Sequence, residues 1–264
     1  MRTRRNKTLG IWAFALMTAV FLNSAKGFCQ EMSARDMMQK SSDNQDTRDE
    51  VVSMEMTLMA KGGGERSRRL VMKRMKTASG LDKIMIRFQE PADIRGTSLL
   101  TWEQKGRDDD QWIYLPALKQ TKRIGGGSDK QGSFVGSDLT YEDLRPEKLD
   151  NFQYTKVGDE PEAFVIEAVP VKPEDTGYSK RKLWLKKDNF LQISAEYYDK
   201  KGTLLKTAKS SDFVTIQDGK VRANRVEVKN AQTEHSTVLK STDRKINTGL
   251  SESDFTTNEL EKGV

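Results

Sequence analysis

From residue 50 almost to its C-terminal end, this chain holds a series of short runs with an apolar residue at every second position, a period that only extended backbone turns into one greasy face. Val52, Met54, Met56 and Leu58 alternate with Val51, Ser53, Glu55 and Thr57, and Ile84, Ile86 and Phe88 do the same in DKIMIRFQ. The pattern continues through TSLLTWE (Leu100, Trp102), QWIYLP (Trp112, Tyr114), EAFVIEAV, YSKRKLWLK, LQISAEYY, NRVEVKN and STVLKSTDRKIN. Turn sequences such as KGGGE, YDKKGTLL and IQDGKV separate the runs and carry glycine where positive φ is wanted. About ten or eleven short strands at this spacing predict a mainly β chain, an antiparallel sandwich or barrel.

Only 35% of the residues are hydrophobic, low for a globular domain. A thin curved sheet with one apolar face suits that composition better than a single thick core. Two segments after residue 50 break the alternation. SFVGSDLTYEDL, residues 133–144, reads as loop with one or two helical turns and carries Phe134, Leu139, Tyr141 and Leu144; SESDFTTNEL, residues 251–260, reads as a short helix or tail. Before the first strand, residues 33–47 read as a helix with Ser33 as N-cap and Ala34, Met37 and Met38 as its stripe.

The N-terminus has the order of an export signal: basic Arg2, Arg4, Arg5 and Lys7, an apolar run from Leu9 to Leu22, then small or polar NSAKG. That run is shorter than the roughly 20 residues needed to span a bilayer. Cleavage is expected after Gly27, with Cys29 as the alternative point. Phe28 before Cys29 does not fit a lipobox. The division is thus a signal peptide over 1–27 and one domain over 28–264, exported and soluble. Five of the 45 Lys and Arg residues fall in 1–27, leaving 40 against 39 Asp and Glu, so the mature chain is nearly neutral. It has no electrostatic footprint for nucleic acid. With Cys29 its only cysteine, no intramolecular disulfide is available.

Catalytic chemistry is poorly supplied. His235 is the single histidine, so a Ser-His-Asp triad would have to pass through it, and an ordinary edge-strand histidine is the simpler reading. No Cys/His cluster has zinc spacing, and neither GGGE at 62–65 nor GGGS at 125–128 completes a phosphate loop. Asp108, Asp109 and Asp110 suggest calcium ligands or a solvated hairpin tip, the latter favoured because no EF-hand pattern follows. Asp138, Glu142 and Asp143 suggest a glycosidase-type carboxylate pair or, more simply, helix capping and pairing with Arg123 or Arg145. No enzyme activity, cofactor or metal is expected. Apolar binding has more support: tryptophans and Tyr114 lie on neighbouring strands, and methionine, flexible and polarizable, recurs at 54, 56, 59, 72, 75 and 85. A curved sheet with little to cover it leaves a concave apolar face, the usual form of a binding site.

The run RGTSLLTWE…DDDQWIYLPALKQTKRI…GSFVGSDLTYEDL resembles the outer membrane lipoprotein-sorting protein family, relatives of the LolA/LolB carriers. The elements that carry the likeness are Gly96 to Leu100, Trp102, Trp112 to Pro116, Arg123-Ile124, Phe134 to Asp138 and Tyr141 to Asp143. It implies a half-open antiparallel β-barrel closed by short helices acting as a lid. Its function would be to carry lipoprotein acyl chains or another lipid through the periplasm toward the outer membrane. Partners implied are an inner-membrane RND/MMPL-type transporter and an outer-membrane acceptor; the alternative is an accessory module that docks on such an exporter without carrying lipid. The cavity lining expected from alternation and likeness together is Met54, Met56, Leu58, Ile84, Ile86, Phe88, Leu100, Trp102, Trp112, Tyr114, Phe134, Leu139, Tyr141 and Leu144. Trp112 and Tyr114 would then face the acyl chains, and residues 133–144 would be the lid that cargo displaces.

Overall fold

A computed structural model describes residues 31–262; the export signal and Cys29 lie outside them. Helix α1 (Ala34–Gln45) starts where Ser33 accepts a hydrogen bond from the Asp36 backbone N–H, and it buries Ala34, Met37 and Met38. Thirteen strands follow: β1 (Asp49–Met59), β2 (Glu65–Lys76), β3 (Asp82–Glu90), β4 (Ser98–Trp102), β5 (Asp110–Leu115), β6 (Gln120–Ile124), β7 (Phe152–Asp159), β8 (Ala163–Pro170), β9 (Lys180–Lys186), β10 (Gln192–Tyr198), β11 (Leu204–Thr215), β12 (Val221–Asn230) and β13 (Ser236–Ile246). A 3-10 turn (Glu252–Phe255) and a short helix, α2 (Thr257–Glu261), end the described chain.

All strands join one antiparallel sheet in the order β6-β5-β4-β3-β2-β1-β13-β12-β11-β10-β9-β8-β7. The first and last strands pair at its centre. The two edges, β6 and β7, are neighbours in sequence, so the barrel stays half open and residues 125–151 must run from one edge to the other.

The expectation of ten or eleven strands is corrected to thirteen. β6 and β11 escape the alternation rule because much of the face they offer inward is polar or small, Lys122 in β6 and Lys206, Ala208 and Ser210 in β11, and in β7 the inward stripe of Phe152 and Tyr154 is cut short at Lys156 and a bulge before Gly158. Pairing to a neighbour, rather than their own greasy stripe, makes them strands.

Register places two apolar clusters on one face. Cross-strand partners share a face, and Ile166, Leu183, Ala195, Ala208, Val228, Thr237 and Leu58 form one continuous row from β8 to β1. At one end of that row, Ile166, Leu183, Leu185 and Ala195 pack against Met37 and Met38 of α1. At the other, Met56, Leu58, Leu70, Ile86, Phe88, Leu99 and Ile113 pack against Phe134 and Leu139 of the connection. This is the inner face. A third cluster, Met85 and Leu100 with Phe255 and Leu260, lies on the outer face of the same N-terminal strands.

Candidate functional site

The inner face of β1 to β5 is the candidate site. Met54 stands opposite Leu70, Leu70 opposite Phe88, and Ile86 opposite Leu99, which in turn faces Ile113. Residues 133–144 close over this surface. Phe134 is 1% exposed, stacks on Phe88 with ring centroids 5.5 Å apart and meets Tyr141 edge-on at 6.0 Å. The Arg68 guanidinium sits 5.8 Å over the Phe88 ring and donates to the Val135 carbonyl. Burial against this apolar surface lowers the pKa of Arg68.

The cover is a tight loop. Phe134 N donates to Leu139 O at 2.7 Å, Ser133 bridges Thr140, and the Ser137 hydroxyl donates to Phe134 O at 2.8 Å. Its tip turns through two left-handed residues, Val135 at φ 49° and Gly136 at φ 74°. A β-branched residue there is an outlier and carries strain of roughly 1–3 kcal/mol, held in place by the bonds around it.

Three carboxylates bolt the cover to the sheet. Asp138 accepts from the Thr237 hydroxyl at 2.7 Å and lies 2.9 Å from His235 Nδ1, and its own backbone N–H donates to Thr237. Glu142 accepts from the Thr176 hydroxyl and from the Gly177 N–H. Asp143 accepts from the Lys206 ammonium, from Tyr178 Oη at 2.7 Å and from the Thr140 backbone and hydroxyl. Lys206 is buried in β11, with its Nζ 5.3 Å from the centres of both Tyr178 and Tyr197. Burial and the adjacent Asp143 charge push the pKa of both phenols up, so each stays protonated and Tyr178 remains a donor. All three carboxylates thus tie the loop to distant segments of the chain. His235 completes the Asp138 latch, and no hydroxyl or thiol bonds its other ring nitrogen among the described residues.

The three consecutive aspartates are corrected from a solvated tip to a clasp. Asp108 pairs with the buried Lys130 at 3.2 Å, Asp109 with Lys148 at 2.5 Å, and Asp110 with both Arg107 and Arg123. Lys130 and Lys148 bracket the cover, so adjacent residues of one turn hold both of its ends. Hydrogen bonds from Arg107, and then Arg123, keep the Asp110 carboxyl below the usual range.

Ten of the fourteen residues expected to line a cavity meet on the inner face: Met54, Met56, Leu58, Ile84, Ile86, Phe88, Phe134, Leu139, Tyr141 and Leu144. The other four do not. Leu100 pairs with Trp112 and Met85, and Tyr114 with Ser98, all on the outer face. There Trp102 packs edge-on against Trp112 at 4.9 Å and donates through Nε1 to the Phe255 carbonyl at 2.7 Å. The expectation that Trp112 and Tyr114 share a face with Phe88 is thus overturned by register. In β4 both faces are apolar, SLLTW, so alternation picks Leu100 as readily as Leu99. Nothing in the sequence marks Lys206 and Thr237 as latch residues beyond an isolated lysine in a strand, and His235, read as an ordinary edge-strand histidine, proves to be a partner of Asp138. Among the described residues no helix is long and apolar enough to cross a membrane, and no three His, Cys, Asp or Glu residues form a metal-holding group.

A family profile described as that of an uncharacterized protein matches residues 80–262. None of the curated proteins matches. A solved outer membrane lipoprotein-sorting protein domain from Vibrio parahaemolyticus is similar at 33% identity and TM-score 0.82, over 87% of this chain and 98% of its own. A DUF1329 family protein from Desulfovibrio piger is similar at 30% identity and TM-score 0.81, over 86% and 97%. A LolA superfamily protein from Nitrosomonas europaea, at 22% identity and TM-score 0.69 over 86% and 99%, shares the fold. With 33% identity over 87% of its length to one of these proteins and a fold shared with the LolA superfamily structure, the chain belongs to the outer membrane lipoprotein-sorting protein family.

Proposed function

We propose that this protein is a periplasmic carrier, exported by residues 1–27, that shields the acyl chains of a lipoprotein or lipid and delivers them toward the outer membrane. The observation that carries the reading is the cover. The apolar inner face of β1 to β5 is closed by a twelve-residue loop whose apolar contacts, chiefly Phe134 and Leu139, an acyl chain can replace. Each methylene moved out of water gains roughly 0.8 kcal/mol, so a chain of ordinary length repays displacement of two or three side chains. No covalent step is needed. Loading requires the latches at Asp138, Glu142 and Asp143 to open, and release requires a competitor for the chain or reclosure of the loop. An inner-membrane RND/MMPL-type transporter as donor and an outer-membrane acceptor fit that cycle.

The test is mass spectrometry of lipid extracted from protein purified out of the periplasm without detergent, together with the intact mass of the mature chain. Co-purifying acylated species and a start near residue 28 support the carrier. Lipid-free protein that also binds no apolar probe favours the second reading, an accessory module docked on an exporter. That reading has its own support in the near-complete burial of Phe134, which suits a permanent core as well as a closed lid.

A further inference from the structure

A cavity of about 470 Å³ lies apart from the apolar patch, between the β4–β5 turn, the end of the connection and residues 170–178. Its size falls within the usual range of small-molecule sites, roughly 300–1,000 Å³. It sits at the seam, because the β4–β5 turn belongs to the β6 side of the sheet and Phe152 and Pro170 to the β7 side. Phe152 and Tyr197 line it and also pack against the inner-face cluster beneath α1, while Glu142 and Asp143, from the loop that covers β1 to β5, line it as well, so the cavity adjoins both parts of the inner face.

The charges around it are unevenly satisfied. Of the lining carboxylates, Asp109 is paired with Lys148, Asp143 with Lys206 and Glu147 with Arg181. Asp108 and Asp150 also have cationic partners, and Glu142 accepts two hydrogen bonds. Two cations remain. The Arg145 side chain donates through Nε to Gln111 Oε1 at 2.8 Å and makes no ion pair among the described residues, while the exposed Lys172 ammonium has no partner there. Asp175, exposed on the same outer turn as Lys172, is the one lining carboxylate without a side-chain partner among the described residues. A guanidinium anchored by one nitrogen and free at the other two is suited to grip an oxyanion with two parallel hydrogen bonds.

We propose that this seam cavity receives the phosphate of a lipid headgroup, with Arg145 and Lys172 as its cationic contacts, while the acyl chains lie against the adjoining inner face. The assignment rests on the carrier reading and adds headgroup chemistry to it: the preferred cargo is an anionic amphiphile, not a neutral one.

The experiment compares binding of pyrene-labelled phosphatidylglycerol with that of the matching neutral diacylglycerol, for the full mature chain and for Arg145→Gln, Arg145→Lys and Lys172→Gln. Wild type should prefer the phospholipid by about tenfold, equal to about 1.4 kcal/mol. Arg145→Gln should remove most of that preference, Arg145→Lys should keep part of it, and none of the variants should change diacylglycerol binding. Lys172 is exposed, so Lys172→Gln tests the site even if Arg145→Gln disturbs the fold, and it should weaken the phospholipid alone by about threefold. Equal affinity of wild type for the two lipids, or equal losses for both in the variants, overturns the headgroup site. Inorganic phosphate binding through Arg145 with no preference for the phospholipid assigns the cavity to free phosphate and also overturns it. If neither lipid binds, the carrier reading itself fails.

Discussion

The same five N-terminal strands are covered on both faces by short segments outside the sheet, and the two covers are built on different principles. On the outer face, Phe255 and Leu260 are fully buried against Met85, Leu100, Trp102 and Trp112. Polar ties there are peripheral: Trp102 to the Phe255 carbonyl, Arg87 to the Glu259 carbonyl, Lys73 to Asp254 and Lys83 to Glu252. On the inner face, Phe134 and Leu139 do the packing, but the loop is fixed by buried carboxylates paired to other strands and by a strained tip. A cover held mainly by fully buried apolar side chains is expected to come off only when the protein unfolds. In the carrier cycle proposed above, the carboxylate bonds of the inner loop would break and its left-handed Val135 would be released. Under the carrier function proposed above, the inner cover is the one that must move.

The largest expected effect is on the outer cover. Phe255→Ala should cost about 3–5 kcal/mol, the range for a buried aromatic cut back to alanine, read by urea denaturation, with no gain in binding of an apolar fluorescent probe. If the variant binds probe, the outer face opens too and the contrast collapses. Next comes Asp143→Ala, which leaves the Lys206 ammonium buried and unpaired, a defect of about 3–5 kcal/mol where nothing yields. The loop can yield, so the measured loss should be smaller than for Phe255→Ala and probe binding should rise. A full loss with no probe binding makes the loop a fixed plug. Replacing Phe134 and Leu144 together by alanine sharpens the same point: a core plug would lose roughly 2–5 kcal/mol per residue, whereas a mobile lid should lose less in total and admit more probe.

Acid should have the smallest effect. Hydrogen bonds from Arg107 and Arg123 depress the folded pKa of Asp110, and the Ser251 N–H does the same for Asp254 on the outer cover. A depressed carboxylate contributes stability above its unfolded pKa, near 3.9, and loses it as pH falls through the lower folded value. Tm should therefore be flat from neutral pH to about pH 5 and decline below about pH 4. Asp110→Asn should lower the neutral-pH Tm and flatten part of that decline. An unchanged pH profile would show that the pairs of Asp110 with Arg107 and Arg123 do not contribute to stability.

Much of the architecture was legible in the residues themselves. Strong alternation marks a strand whatever surrounds it, so β1, β3, β8 and β10 are readable from Val52, Ile84, Ile166 and Ile193 with their neighbours, as is α1 from Ser33 and its methionines. The break at 133–144 was visible for the same reason, as four apolar residues without the strand period. β6, β7 and β11 were not, because a strand whose inward stripe is interrupted by lysine, serine or a bulge owes its conformation to the backbone of its neighbour.

What the sequence determined by itself is therefore local: period, turns, caps, and the family likeness carried by residues 96–144. Only the tertiary structure decided which face each apolar residue serves. In a strand with both faces buried, such as SLLTW, a shift of one residue exchanges inside for outside, and pairing to β3 and β5 fixes Leu99 inward and Trp102 and Trp112 outward. It also decided the partners of the charges. Asp143 and Lys206 are 63 residues apart, as are many other acid–base pairs in this chain that never meet. Their meeting depends on β1 pairing with β13, which brings the two halves of the sheet together, and on a connection that must cross the seam between its edges.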